Sequence, residues 1–171
     1  MPIPTITTPN LTLRAFNPDD AELMHRILAG KDVLRYFPGT NAPTPEQVER
    51  MIESVLKHWE EKGYGLWAVE LRQNGDLIGR CGLQLIADTA EVEIDFIIDR
   101  QYWGRGLATE AGKASLRYGF EELGLVAVVG IVHPENLAAK RVLEKLGMQF
   151  VEATEYFGMA CYRYLVEFYS S

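Results

Sequence analysis

Glu91-Val92-Glu93-Ile94-Asp95-Phe96-Ile97-Ile98-Asp99, followed by Arg100-Gln101-Tyr102-Trp103-Gly104-Arg105-Gly106-Leu107-Ala108-Thr109, decides the fold of this chain of 171 residues. The first nine residues alternate and are rich in β-branched and aromatic side chains, which predicts a strand. From Leu107 a helical period takes over, with Leu116, Phe120 and Leu123 on one stripe. A strand that passes through glycines directly into a helix converges backbone N–H groups on one spot. Gly104 and Gly106 let main chain approach a bulky anion without Cβ interference, and the first helical turn adds unpaired N–H groups and the positive end of its dipole. The segment therefore predicts a cradle for a phosphate group, a diphosphate above all.

On the C-terminal side, residues 126–132 are continuously apolar, as in a strand covered on both faces, and are expected parallel to residues 91–99. A helix at 137–146 follows, capped by Asn136 and closed by Gly147. Residues 148–155 and 160–169 form an expected hairpin with Tyr162, Tyr164, Val166 and Phe168 on one face. On the N-terminal side, a strand at 11–16 precedes Asn17-Pro18-Asp19-Asp20, which announces a helix to about residue 29. Thr44 and Gln47 form a capping box for a helix at 45–62. Strands at 66–72 and 77–86 flank Asn74-Gly75, the dipeptide of a tight hairpin turn. Between the two helices, residues 31–43 carry Leu34, Tyr36 and Phe37, the profile of a binding loop as much as of a linker. The order predicts one α/β (α+β) domain over residues 11–171 after an N-terminal segment at 1–10. Its central mixed sheet has about seven strands and about four flanking helices.

An apolar fraction of 47% and a charged fraction of 24% fit a globular protein. No stretch approaches the ~20 apolar residues of a membrane span, and no export signal or lipid anchor is read at Met1-Pro2-Ile3-Pro4, so a cytoplasmic setting is expected. A net charge of −7 argues against general nucleic-acid affinity and favours cationic partners such as amines. Cys81 and Cys161 lack CxxC spacing and read as buried thiols. His25, His58 and His133 lack a second ligand at metal spacing, so no metal is expected.

Among glycine-rich cradles, the Walker loop is excluded because no Gly-Lys-Ser/Thr follows. A dinucleotide fingerprint would want glycine or alanine at Thr109 and a first glycine nearer the strand end. What remains, Gln101-x-x-Gly104-x-Gly106, resembles the Gln/Arg-x-x-Gly-x-Gly/Ala signature of the GNAT superfamily of N-acetyltransferases. The segment from Asn136 to Met148 is similar to that superfamily's Asn-x-x-Ser-x-x-Val/Leu-x-x-Lys-x-Gly-Phe block. Leu11-Thr12-Leu13-Arg14, the Tyr-Trp-Gly-Arg-Gly loop and Ala108-Thr109-Glu110-Ala111 resemble its RimJ/RimL-like branch, which acetylates protein N-termini and small amines.

The resemblance implies a GNAT-like fold whose parallel strand pair splays at the cofactor site, and acetyl-CoA as co-substrate. Its pyrophosphate would rest on amides of Trp103, Gly104, Arg105, Gly106, Leu107, Ala108 and Thr109, with Arg105 and Lys140 or Arg141 near the phosphates. Its pantetheine arm would pair with main chain of Phe96, Ile97 and Ile98, and Asn136 would bond the arm, cap its own helix, or do both. Transfer to an amine requires removal of a proton. Glu93, with Glu91 in reserve or a water chain, is the candidate base, and a solvated carboxylate face is the competing account. The Ile98 N–H is the candidate oxyanion donor. The acid is open between Tyr162 and Tyr164, or absent, because Ala139 stands where many relatives carry serine. The implied activity is N-acetyl transfer to a peptide N-terminus or small-molecule amine through a ternary complex, in a monomer or homodimer. The alternative is a CoA-binding regulatory or sensor domain with little transferase activity.

Overall fold

The computed structural model describes residues 2–39 and 41–168; Met1, Thr40 of the connecting loop, Tyr169 of the expected last strand, Ser170 and Ser171 lie outside the described residues. The strands are β1 (Ile6–Thr7), β2 (Leu11–Arg14), β3 (Leu66–Leu71), β4 (Leu77–Leu85), β5 (Val92–Ile98), β6 (Ala127–Val132), β7 (Gln149–Tyr156) and β8 (Met159–Glu167). They form one open sheet in the order β1-β2-β3-β4-β5-β6-β8-β7. Every described strand contact is antiparallel except β5 against β6. The eighth strand, one beyond the expected seven, is β1: two residues carry no readable alternation, yet they pair with Thr12 and Leu13 and join the N-terminal segment to the sheet.

Among the described residues four α-helices flank the sheet: α1 (Ala21–Leu28), α2 (Pro45–Lys62), α3 (Leu107–Arg117) and α4 (Leu137–Lys145). The expected capping box of Thr44 with Gln47 forms, and the expected cap Asn17 also forms one with Asp20, satisfying N–H groups that a helix start leaves unpaired. On α2 the buried residues Val48, Ile52, Val55 and Trp59 recur at helical spacing. Each such apolar side chain, once fully buried, contributes about 1.5–3 kcal/mol. Trp59 also donates its indole N–H to the Leu66 carbonyl at 2.8 Å, so the core ring leaves no orphan donor.

The expected single helix at 107–123 is instead α3 followed by a π-helical turn at Tyr118–Glu122. Gly119 sits inside this turn, and a Cβ there would lie 2.8 Å from a Leu83 methyl and 3.2 Å from one of Leu125. A side chain there would push these methyls aside, so a bare Cα suits close packing on the sheet where the helical register changes.

Candidate active site

Strand β5 shares seven register pairs with β4 but only one with β6, Glu93 opposite Val129. β6 in turn shares six pairs with β8. Each parallel neighbour is held tightly on its outer side, so the two part beyond Glu93 and open a cleft of about 1010 Å³. The splay expected beside Ile98 is present.

Backbone parity shows what faces this gap. The Asp99 N–H donates to Ile78 O on β4 at 2.7 Å, so odd-numbered β5 residues turn their main chain toward β4 and even-numbered ones toward β6. Phe96 and Ile98 therefore present main chain to the gap. Ile97 does not: its carbonyl oxygen is turned onto Gly79, where a Cβ would lie only 2.0 Å away. The Ile98 carbonyl accepts from the Trp103 indole N–H at 2.7 Å, which ties the glycine turn to the strand end and leaves the Ile98 N–H facing the cleft.

In the turn itself, Gly104 and Gly106 adopt φ of 81° and 75°, left-handed values that side-chain-bearing residues reach only with strain. Nothing lies within 4 Å of a Cβ at either position, so both face open space. The N–H groups from Gly104 to Thr109 find no acceptor among the described residues; the first helical bond runs from Glu110 N to Gly106 O at 3.0 Å. Five of these six residues, Arg105 excepted, line the cleft. This is the chemistry an anion completes: several unpaired donors, a helix N-terminus and a nearby cation. The Arg105 guanidinium rests over the Tyr102 ring at 5.2 Å. Asn136 caps α4, accepting from Ala139 N at 3.1 Å, and borders the cleft along with Arg141. Lys140 is turned elsewhere, donating to Pro134 O at 2.8 Å and lying 5.0 Å over the Tyr162 ring.

Three carboxylates two residues apart meet different surroundings. Glu91 lies outside the cleft lining and is gripped by both terminal nitrogens of Arg163, one at 2.8 Å; that hydrogen bonding holds its pKa below the ordinary carboxylate range. A carboxylate so held is a poor base, and Glu91 loses its place as reserve. Asp95 lines the cleft but is paired with Arg80, at 2.9 Å to Nε and 3.3 Å to a terminal nitrogen. Glu93 is buried in the cleft wall and accepts one hydrogen bond, from Gln84 Nε2 at 2.8 Å. Burial pushes its pKa up to about 7, against the opposing effect of Gln84. Its proton affinity is thus matched to proton transfer near neutrality.

Tyr162 is absent from the cleft lining: its ring packs edge-on against Phe150 at 5.1 Å and under Lys140. Tyr164 is buried in the core cluster with Leu143 and Leu146. The tyrosine that does line the cleft is Tyr156, at the end of β7, whose pKa is raised by burial and then by Glu93 and Asp95. The sequence reading missed it because residue 156 fell beyond the expected strand end. The usable signal was register: opposite Met159, Tyr156 shares a sheet face with Cys161 and Arg163, not with Tyr162 and Tyr164. The loop between α1 and α2 supplies residues 32–39 to the cleft. It is latched by Asp32 to Arg100 at 2.7 Å and by the Tyr36 ring against His133 at 5.0 Å.

No group of three His, Cys, Asp or Glu among the described residues is disposed to hold a metal ion, and no described helix is long and apolar enough to cross a membrane. Residues 10–149 match the acetyltransferase (GNAT) domain model. The uncharacterized N-acetyltransferase YoaA of Bacillus subtilis (strain 168) is 32% identical over 147 residues, spanning 85% of this chain and 83% of its own. Spermidine N(1)-acetyltransferase of Escherichia coli (strain K12) is 30% identical over 139 residues, spanning 81% and 72%. The acetyltransferase structure from Agrobacterium tumefaciens str. C58 superposes with a TM-score of 0.85 at 26% identity, covering 98% of this chain and 96% of that one.

Proposed function

The chain belongs to the GNAT acetyltransferase family, an acetyl-CoA-dependent acyltransferase by that membership, and from it we propose N-acetyl transfer to a primary amine by direct attack within a ternary complex. The acceptor is a small-molecule amine or a peptide N-terminus, as the RimJ/RimL-like features imply. The observation that carries the reading is one cleft that joins unpaired amides of residues 104–109 to a buried carboxylate with a pKa of about 7.

When bound, acetyl-CoA supplies the acetyl group as a thioester. Its diphosphate fits the amides of the glycine turn with Arg105 and Arg141 nearby, and its arm fits the gap-facing main chain of Phe96 and Ile98 and the free end of Asn136. Glu93 takes one proton from the ammonium, since an alkyl amine with pKa near ~10 reaches the site protonated. The N–C bond then forms as the C–S bond breaks, and the Ile98 N–H donates to the charge developing on the carbonyl oxygen. Tyr156, its phenol kept protonated by burial and then by Glu93 and Asp95, is the hydroxyl available to the departing sulfur. Overall, one ammonium and one thioester give one amide, one thiol and one released proton.

The test is thiol release from acetyl-CoA across a panel of amines and peptides, with mass spectrometry of the acceptor. Sustained turnover with an added mass of one acetyl group is expected. Tight CoA binding without turnover on any acceptor supports the sensor alternative instead.

A further inference from the structure

The cleft lining carries aromatic surface from two segments distant in sequence. Tyr36 and Phe37 come from the α1–α2 loop, and Tyr156 and Phe157 from the tip of the β7–β8 hairpin. Phe157 is the costly member. It holds φ of 49°, a left-handed conformation unfavourable for a bulky side chain, and it is 75% exposed, with its ring edge-on to Tyr156 at 4.5 Å. Glycine or asparagine would serve a tight turn with less strain, and Gly158 follows immediately at φ of 73°. The contact of Phe157 with Tyr156 leaves most of the ring in the open, and strain of this kind concentrates where ligands are held.

Charge limits what those rings receive. The cleft's Asp95 is neutralised by Arg80 and its Asp32 by Arg100. Glu93 remains as the one buried carboxylate in the lining without a cationic partner. One ammonium can be met there; of the other charges in the lining, Arg141 belongs with the donor's diphosphate, and the exposed Glu135 is outweighed by Arg35 and Lys145, so a second ammonium finds no net attraction.

We propose, resting on the transferase reading above, that the acceptor is a primary monoamine attached to an aromatic or flat apolar body, held between the loop and hairpin-tip rings, with Phe157 as a specificity-determining residue. The amine meets Glu93 and the body stacks at the mouth, where aromatic pairs gain energy beyond the area they bury. A polyamine would leave its further charges beside cations and apolar rings.

The experiment compares kcat/KM for phenethylamine, a tripeptide beginning with Phe, ethanolamine and spermidine, in the parent chain and in Phe157→Gly. The proposal expects phenethylamine or the Phe peptide to exceed ethanolamine and spermidine by about tenfold or more, the range a pocket contact of this size discriminates. Which of the two is preferred separates a small-molecule from a peptide acceptor. In Phe157→Gly the preferred substrate should lose about tenfold in kcat/KM through KM, because its stacking partner is gone. The KM for acetyl-CoA should not change, and Tm should hold or rise, because glycine relaxes the left-handed backbone. Preference for spermidine or ethanolamine, or an unchanged aromatic KM in Phe157→Gly, overturns this proposal and leaves the transferase reading standing. Absence of turnover on all four acceptors and on the wider panel overturns both.

Discussion

The two walls of the cleft are made of different materials. The wall offered to the donor is main chain: unpaired N–H groups at residues 104–109 and the gap-facing backbone of Phe96 and Ile98, fixed by glycine φ angles, one helix start and a single strand splay. The wall offered to the acceptor is side chain: Glu93 with Gln84, the Arg80–Asp95 pair, Tyr36, Tyr156 and Phe157, gathered from three strands, a loop and a hairpin turn. Main-chain donors read a feature shared by every molecule with a diphosphate and amide arm, so they suit a common donor. Side chains change with single substitutions without disturbing the sheet, so they suit an acceptor that differs from one relative to the next.

The comparison breaks most decisively at Glu93. Glu93→Gln keeps the shape and the hydrogen bond from Gln84 but cannot take a proton, and loss of a positioned base costs on the order of 10²–10⁴-fold in kcat/KM. The parent should show an acid limb near pH 7, the folded pKa of this carboxyl, and the variant should lack that limb. Stability should move the other way. A carboxyl whose folded pKa is raised adds stability that is fully present below its unfolded pKa and is lost as pH rises through about 7. The Gln variant, uncharged throughout, should therefore match or exceed the parent Tm at pH 8. Thermal melts and pH–rate profiles on one verified acceptor check both signs; an unchanged acid limb in Glu93→Gln removes Glu93 from the mechanism.

On the donor wall the corresponding substitution is Gly106→Val. A β-branched residue at φ of 75° costs about 1–2 kcal/mol of backbone strain and turns amides out of the cradle. We expect acetyl-CoA affinity to fall roughly tenfold or more, against a Tm loss of a few degrees, since the Cβ enters open space and clashes with nothing. Calorimetric titration with CoA measures it. Equal affinity would move the diphosphate off the turn.

These unequal walls were unequally legible in the sequence. Gly104, Gly106 and the helix onset at Leu107 lie within four residues, so local spacing sufficed. The parallel β5–β6 pairing also followed from the continuously apolar run at 126–132. The acceptor wall depends on register across long separations. Arg163 removes Glu91 from contention from 72 residues away, and nothing near residue 91 announces it. Tyr162 was read as a catalytic candidate because alternation ranks residues by face without saying which face meets the cleft. The two-residue turn at 157–158 pairs Tyr156 with Met159 and thereby answers that question. Residues 6–7 were too short to alternate, and the π turn at Tyr118–Glu122 preserves helical hydrophobicity while changing the register beneath it.

The smallest expected effect tests whether the acceptor wall acts as a tuned set or as independent groups. Arg80 lowers and Asp95 raises the pKa of Glu93, while desolvation dominates both. Arg80→Gln removes the stabilising cation and leaves Asp95 charged and unpaired beside Glu93, so ionised Glu93 becomes less favourable and the acid limb should move to higher pH. Turnover at pH 7 should drop only a few-fold, and Tm should fall because a mostly buried carboxylate has lost its partner. Arg80→Gln combined with Asp95→Asn removes both charges. Because Asp95 acts on Glu93 more strongly than Arg80 does, the limb should return to the parent position or slightly below it, with Tm recovering. A merely structural role for Arg80 predicts recovery of Tm with no movement of the limb in either variant. The paired shift and return would show that Arg80 acts on the base by cancelling the charge of Asp95, while burial keeps its proton affinity high.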